Sequence, residues 1–156
     1  MEFRARLLEL LEDYLTVRNW SSAVNDKDRY IRMELELDDA QGNVQFALVP
    51  VDEGIVSYAV LPDDIPYEQY AAVAEYLHRA NYGLLNGCFE FDYEEGRVQY
   101  RTFCYCPDEE EPSVYDMDAL FSVPLTVLNR YIGGLRQLLR EKSDDVLGLI
   151  SQIEKA

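Results

Sequence analysis

Few residues in this chain are placed to do chemistry. Cys104 and Cys106 stand two apart in an alternating run, so on a strand their thiols share one face, roughly 7 Å apart. Cys88 lies in the neighbouring run, and with His78 the three thiols form, in principle, a soft metal set or a redox group. Zinc sites, however, draw paired ligands from tight Cys-x-x-Cys turns, which the sequence lacks, and a lone helical His is ordinarily structural. Buried thiols are therefore the expected use, with a thiol- or metal-responsive regulator built on Cys88, Cys104 and Cys106 as the alternative. Glu90 and Asp92 also share a strand face, where paired carboxylates can do acid–base work or hold a divalent ion. No neighbouring His, Lys or glycine-rich loop supports them, and a solvated sheet face is expected. Asp108-Glu109-Glu110-Glu111 lacks the glycine and the ligand spacing of a calcium loop. Nucleophile elbow, phosphate-binding loop, dinucleotide glycine fingerprint and His-Glu-x-x-His sequences are all absent. The expectation is a protein with no catalytic residues, no cofactor and no metal.

Residues suited to binding are better represented. In the run Arg97 to Cys106, Arg97, Gln99, Arg101, Phe103 and Tyr105 share one face, and Val98, Tyr100, Thr102, Cys104 and Cys106 share the other. If the second set faces helices, Phe103 and Tyr105 are exposed aromatics beside Arg101. Tyr, Phe and Arg are enriched at the cores of protein interfaces. Arg101, Phe103 and Tyr105, with Glu90 in the adjacent run, are therefore the candidate partner-binding residues. Tyr70, Tyr76 and Tyr82 are a weaker set, suited to a dimer surface or, more simply, to core packing.

The elements that must position these residues follow from periodicity. Phe3, Leu7, Leu10, Leu11, Tyr14 and Leu15 recur at steps of three and four, which predicts a first amphipathic helix over Phe3 to Val17. Ile31, Met33, Leu35 and Leu37 then alternate with Arg32, Glu34 and Glu36, the spacing of a strand with one wet face. Val44 to Val51 and Ile55 to Leu61 are two further strands, separated by turn residues, so three strands form an antiparallel meander. Asp63-Asp64-Ile65-Pro66 predicts the start of a second helix reaching about Tyr82, with Gly83 as its stop. Gly87 to Tyr93 and Arg97 to Cys106 form a hairpin around Glu94-Glu95-Gly96. Ser113 with Asp116 resembles a capping pair opening a long helix through Leu139, in which Pro124 predicts a kink or restart and Gly133-Gly134 close packing. Asp144 to Glu154 reads as a short terminal helix.

Composition bounds the class of function. A chain of 156 residues, 48% hydrophobic, fits one domain, and folding needs neither disulfide nor metal. With 14 Lys and Arg against 30 Asp and Glu, the net charge of −16 argues against nucleic acid and anionic membranes as partners. Ten acids and no Lys or Arg fall between Met33 and His78, which suggests an acidic sheet face, either merely solubilising or able to steer a basic partner. No apolar run spans a bilayer, the amino terminus is unlike a secretion signal, and three cysteines suit reduced thiols. A cytoplasmic location is expected.

The order helix, three strands, helix, two strands, helix resembles the YbjN family, whose fold is similar to that of type III secretion chaperones. The resemblance is densest between Tyr67 and Leu139, through Arg79-Ala80-Asn81, then Leu84-Leu85-Asn86-Gly87-Cys88-Phe89-Glu90-Phe91-Asp92, then Gly96-Arg97-Val98 and the long closing helix. It implies an α+β domain spanning residues 1–156, with an antiparallel sheet of about five strands packed with helices. It also implies a protein, often a homodimer, that acts through protein contacts: YbjN proteins are provisionally assigned to sensory transduction, and the chaperones hold extended segments of client proteins. No motif separates chaperone from regulator.

Overall fold

A computed structural model of the protein describes residues 2–155. Helix α1 (Phe3–Val17) buries Leu7, Leu8, Leu11, Tyr14 and Leu15, the stripe set by its sequence spacing. Strands β1 (Ala23–Asn25), β2 (Tyr30–Glu36), β3 (Asn43–Val51) and β4 (Gly54–Val60) follow as antiparallel neighbours. After α2 (Tyr70–Asn81) the chain returns as β5 (Cys88–Asp92) and β6 (Arg97–Tyr105), then closes with α3 (Val114–Glu141) and α4 (Val146–Lys155). The six strands lie in the order β1-β2-β3-β4-β6-β5, so β6 inserts beside β4 and leaves the shorter β5 at the edge.

Alternation decides which face is the core. Ile31 and Met33 on β2, Val44, Phe46 and Leu48 on β3, Ile55 and Ala59 on β4, and Val98 and Tyr100 on β6 are all buried. They pack against Leu11 of α1, Val73 and Leu77 of α2, and Leu120, Leu128 and Leu135 of α3 in one cluster. The helices therefore cover one face of the sheet, and the intervening residues of every strand form the other. The turn from β3 to β4 is tight: a Cβ on Gly54, at φ 151°, would stand 1.9 Å from the Cys104 carbonyl oxygen, so no side chain fits there.

Helix α3 is the brace. Ser113 and Asp116 form a reciprocal capping box at its start, and Arg136 near its end makes a two-pronged ion pair with Asp63 (3.0 Å for both contacts) while donating to the Gln41 carbonyl at 2.6 Å. Gly134 admits α4 and α2: a Cβ there would meet Ile153 Cδ1 at 2.3 Å and the Tyr76 hydroxyl at 2.6 Å. The close packing expected at the Gly133-Gly134 pair is thus real at Gly134.

Three details depart from expectation. The sheet has six strands instead of about five, because Ala23–Asn25 pairs with β2; a three-residue strand is too short to show a period. The second helix starts later than Asp63. Residues 63–66 are not helical, since Asp63 is committed to Arg136 and the Ile65 amide donates to the Gly96 carbonyl at 2.9 Å, and a single 3-10 turn at Tyr67–Gln69 leads into α2. Pro124 neither restarts nor ends α3, which runs unbroken through it. Proline removes the amide that would bond the carbonyl four residues earlier, that of Leu120. The buried Ser57 hydroxyl of β4 donates to that same carbonyl at 2.9 Å, supplying the missing donor from the sheet.

Replacing Ser57 with Ala leaves the Leu120 carbonyl buried and unpaired and is expected to cost about 1–3 kcal/mol in urea unfolding. The same change in a Pro124→Ala background, where a helix amide can bond that carbonyl, is expected to cost about 1 kcal/mol less. Additive effects of the two substitutions would show that Ser57 and Pro124 are not linked.

Candidate functional site

The face without helices is built from alternate residues of β3, β4, β6 and β5. Register places Val49, Val56 and Phe103 in one row. The next row is Ala47, Tyr58, Arg101 and Cys88, and the third is Gln45, Val60, Gln99 and Glu90. Val51, Gly54 and Tyr105 close one end. The valines are half-buried by their neighbours alone, whereas Phe103 and Tyr105 are 41% and 67% exposed, with ring centroids 6.4 Å apart. The result is an apolar and aromatic centre on a chain of strongly acidic charge, an arrangement suited to contact with another macromolecule.

Polar groups frame this centre. Arg101 Nε stands 3.1 Å from Glu90 Oε1, and the Gln99 amide donates to the same oxygen at 3.0 Å. The hydrogen bond that Arg101 donates to Glu90, followed by the carboxylate's charge, raises the Arg101 pKa. Arg32 of β2 lies opposite Ala47, and Glu34 takes the Gln45 amide at 3.1 Å. The acidic face expected over Met33–His78 reduces to Glu34 and Glu36 on β2, since Asp38, Asp39, Asp52 and Glu53 lie in turns, Asp63 and Asp64 in the link before α2, and Glu68 and Glu75 in the 3-10 turn and α2 itself. The four candidate residues Arg101, Phe103, Tyr105 and Glu90 are brought together on the open face.

The cysteines are not. Cys88 pairs across the ladder with Arg101 and therefore lies on the open face, with its sulfur 3.7 Å from an Arg101 guanidinium nitrogen. Cys104 and Cys106 point to the helices. Burial pushes the Cys104 thiol up to about 12, and the nearby Cys106 and Asp116 act in the same direction. Burial also raises the Cys106 thiol, although its contact with Cys104 opposes the shift. Buried thiols held in the protonated form are far from reactive sulfurs. His78 is exposed on α2 alongside α4, away from all three. The soft set considered from spacing alone is thus divided between the two faces of the sheet, because the alternation that aligns Cys104 with Cys106 puts Cys88, paired with an odd-numbered residue, on the other side. Glu90 and Asp92 do share the open face, but Glu90 is engaged by Arg101 and Gln99, and Asp92 receives the Glu94 amide at 2.9 Å in the hairpin turn. Among the tyrosines, Tyr76 is core and bonds the Tyr131 carbonyl at 2.6 Å, Tyr70 packs on Phe91, and Tyr82 is exposed at the end of α2.

Two features were missed. Strand β6 overhangs β5: Cys88 pairs with Arg101, and the chain before it turns away at Gly87, leaving Phe103 and Tyr105 beyond the end of the edge strand. The unequal lengths of the two alternating runs in the sequence were the available signal. Beneath the overhang lies a cavity of about 160 Å³ bounded by Asn86, Thr102, Cys104, Asp116 and Leu120, which no linear pattern announces.

No family model and no curated protein sequence matches the chain. Among solved structures, the crystal structure of YbjN from E. coli superposes with a TM-score of 0.59 over 81% of this chain and 91% of that one, at 10% identity. Among the described residues no helix is long and apolar enough to cross a membrane. Identity at that level speaks to architecture alone, and the architecture is shared: this chain adopts the α+β fold of YbjN, with an open antiparallel sheet covered by helices on one side.

Proposed function

We propose that the protein is a non-enzymatic binding module that engages a partner protein through the open sheet face, around Arg101, Phe103 and Tyr105 with Glu90 at the margin. The observation that carries this reading is the pair of half-buried valines, Val49 and Val56, in row with exposed Phe103, beside the exposed Tyr105, on the sheet face opposite the helices. Apolar side chains placed there stabilise the monomer less than they would in a core, so their benefit lies in a complex. E. coli YbjN, the structural neighbour, is described provisionally as a transcription regulator. With a net charge of −16, this chain is suited to regulation by contact with protein and unsuited to direct DNA binding. Self-association into a homodimer in the cytoplasm fits the same face, since a two-fold contact would set Arg101 and Glu90 of one copy near those of the other.

Changing Arg101, Phe103 and Tyr105 together to Ala is expected to abolish association with the partner, or with a second copy in sedimentation experiments, while shifting the melting temperature by only a few degrees. Equal loss of folding and binding would place the three side chains in the structural framework instead. The thiols are expected to be dispensable: native maleimide labelling at pH 7.5 should modify Cys88 first and leave Cys104 and Cys106 protected. A Cys88→Ser variant is expected to bind as the parent does. Rapid labelling of Cys104, or loss of binding in that variant, would restore a thiol-based role.

A further inference from the structure

The overhang of β6 is an unfinished piece of sheet. Cys106 donates its amide to the Glu53 carbonyl at 2.8 Å, and Val98 accepts from the Leu61 amide at 2.9 Å, so the even-numbered residues of β6 direct their backbone groups toward β4. The odd-numbered residues therefore direct theirs the other way, toward β5. For Arg97, Gln99 and Arg101 the partner strand is present. For Phe103 and Tyr105 it is not: β5 has ended, and no hydrogen bond to either backbone occurs among the described residues outside the ladders. Gly87 makes the departure possible. At φ 78° its Cα passes so close that a Cβ would stand 2.5 Å from the Arg101 carbonyl oxygen and 2.8 Å from Thr102 Cγ2.

The space beside this edge has a defined chemistry. Thr102, 2% exposed, lines it, and its hydroxyl is buried without a hydrogen-bond partner. Asp116, in the first turn of α3, lines the same cavity, and neither Lys nor Arg does. The acidic stretch Asp108–Glu111 follows directly in the chain, and Glu110 lies close enough to act on the Cys106 thiol. A strand laid along the overhang in line with β5 would set the residue opposite Cys104 on the helix side, over Asp116 and Ala119, and its two neighbours outward beside Phe103 and Tyr105.

We propose, building on the protein-binding reading above, that the overhang accepts an extended segment of a partner protein as an added strand, with a basic side chain entering the cavity between two apolar ones. The backbone of Phe103 and Tyr105 supplies the ladder, and Asp116 receives the cation on the carboxylate oxygen that its capping bond to Ser113 leaves free. A second copy of this chain or a small-molecule ligand would occupy the same place differently, and both are separated by the test.

The test is selection of random hexapeptides by display on the folded full chain, followed by anisotropy with the enriched peptide. The expected peptides alternate apolar, Lys or Arg, apolar. Methylating the peptide amides that face β6 is expected to lower affinity at least about tenfold, and methylating the alternate amides to leave it within about threefold. On the protein, Tyr105→Pro and Tyr105→Thr both remove the ring, but only the first removes the outward amide, at a position where an edge strand tolerates proline, so Tyr105→Pro should bind at least about tenfold more weakly than Tyr105→Thr. Asp116→Asn retains an acceptor for the Ser113 amide and should keep the fold while weakening the preference for a basic residue. Enrichment no greater than on an acidic control protein, or binding indifferent to the methylation pattern, overturns the proposal. Peptides lost with the Ala triple variant but indifferent to methylation would leave the open-face reading standing and remove the edge. Self-association abolished by Tyr105→Pro, without peptide binding, would assign the edge to a second copy.

Discussion

The carbonyl of Leu120 organises the molecule. Pro124 deprives it of its helical donor in the middle of a 28-residue helix, at a depth where water cannot substitute. The Ser57 hydroxyl answers from the centre of the sheet, so one hydrogen bond ties the middle of α3 to β4 and satisfies the carbonyl. Everything that α3 carries is thereby placed: Arg136 against Asp63 and Gln41, Gly134 against α4 and Tyr76, and Asp116 beneath the end of β6. A proline tolerated in this way ties the helix to the strand whose hydroxyl satisfies the carbonyl it frees.

With α3 locked to one side, α1, α2 and α4 complete that layer and the opposite face is left to the strands. A sheet covered on one side usually presents polar residues on the other. Here the central strands depart from that rule, with Val49, Val56, Val60 and Tyr58 where a solvated face would carry Thr, Lys or Glu, while the flanks keep it, with Glu34 and Arg32 on β2 and Glu90 on β5. Apolar centre and charged margin is the layout of an interface more than of a solvated surface.

Much of this was legible in the sequence because it depends on short-range periodicity. The grouping of the β6 residues into two faces, the capping box at Ser113, the terminal helix and the α+β order all follow from spacings of two, three and four, whereas which β6 face lies open is settled only by where the helices pack. Family resemblance added the layered architecture, and the structural likeness to YbjN carries it at the level of fold. What escaped reading depends on partners distant in the chain. Asp63 looks like a helix opener until Arg136, 73 residues on, claims its carboxylate. Pro124 looks like a break until Ser57 is seen opposite it. The three cysteines look like a set until the ladder shows Cys88 opposite Arg101, on the wrong face for Cys104.

The last strand shows how far one residue of register reaches. Ser57 and Thr102 face each other across the β4–β6 ladder, both on the helix side and both buried. The first hydroxyl meets a carbonyl that proline has freed; the second meets nothing, and an unpaired buried hydroxyl weakens the fold by an amount comparable to a hydrogen bond. A valine in place of Thr102 would fit the strand and avoid that loss. The hydroxyl instead sits where the sheet stops short, beside Asp116 and the free backbone of Phe103 and Tyr105. Each of these features alone is a small imperfection of the monomer. Their coincidence at one edge gives them a common explanation in what the edge binds, since a strand added there pairs the open backbone and brings a cation to the Asp116 oxygen that the capping box leaves free.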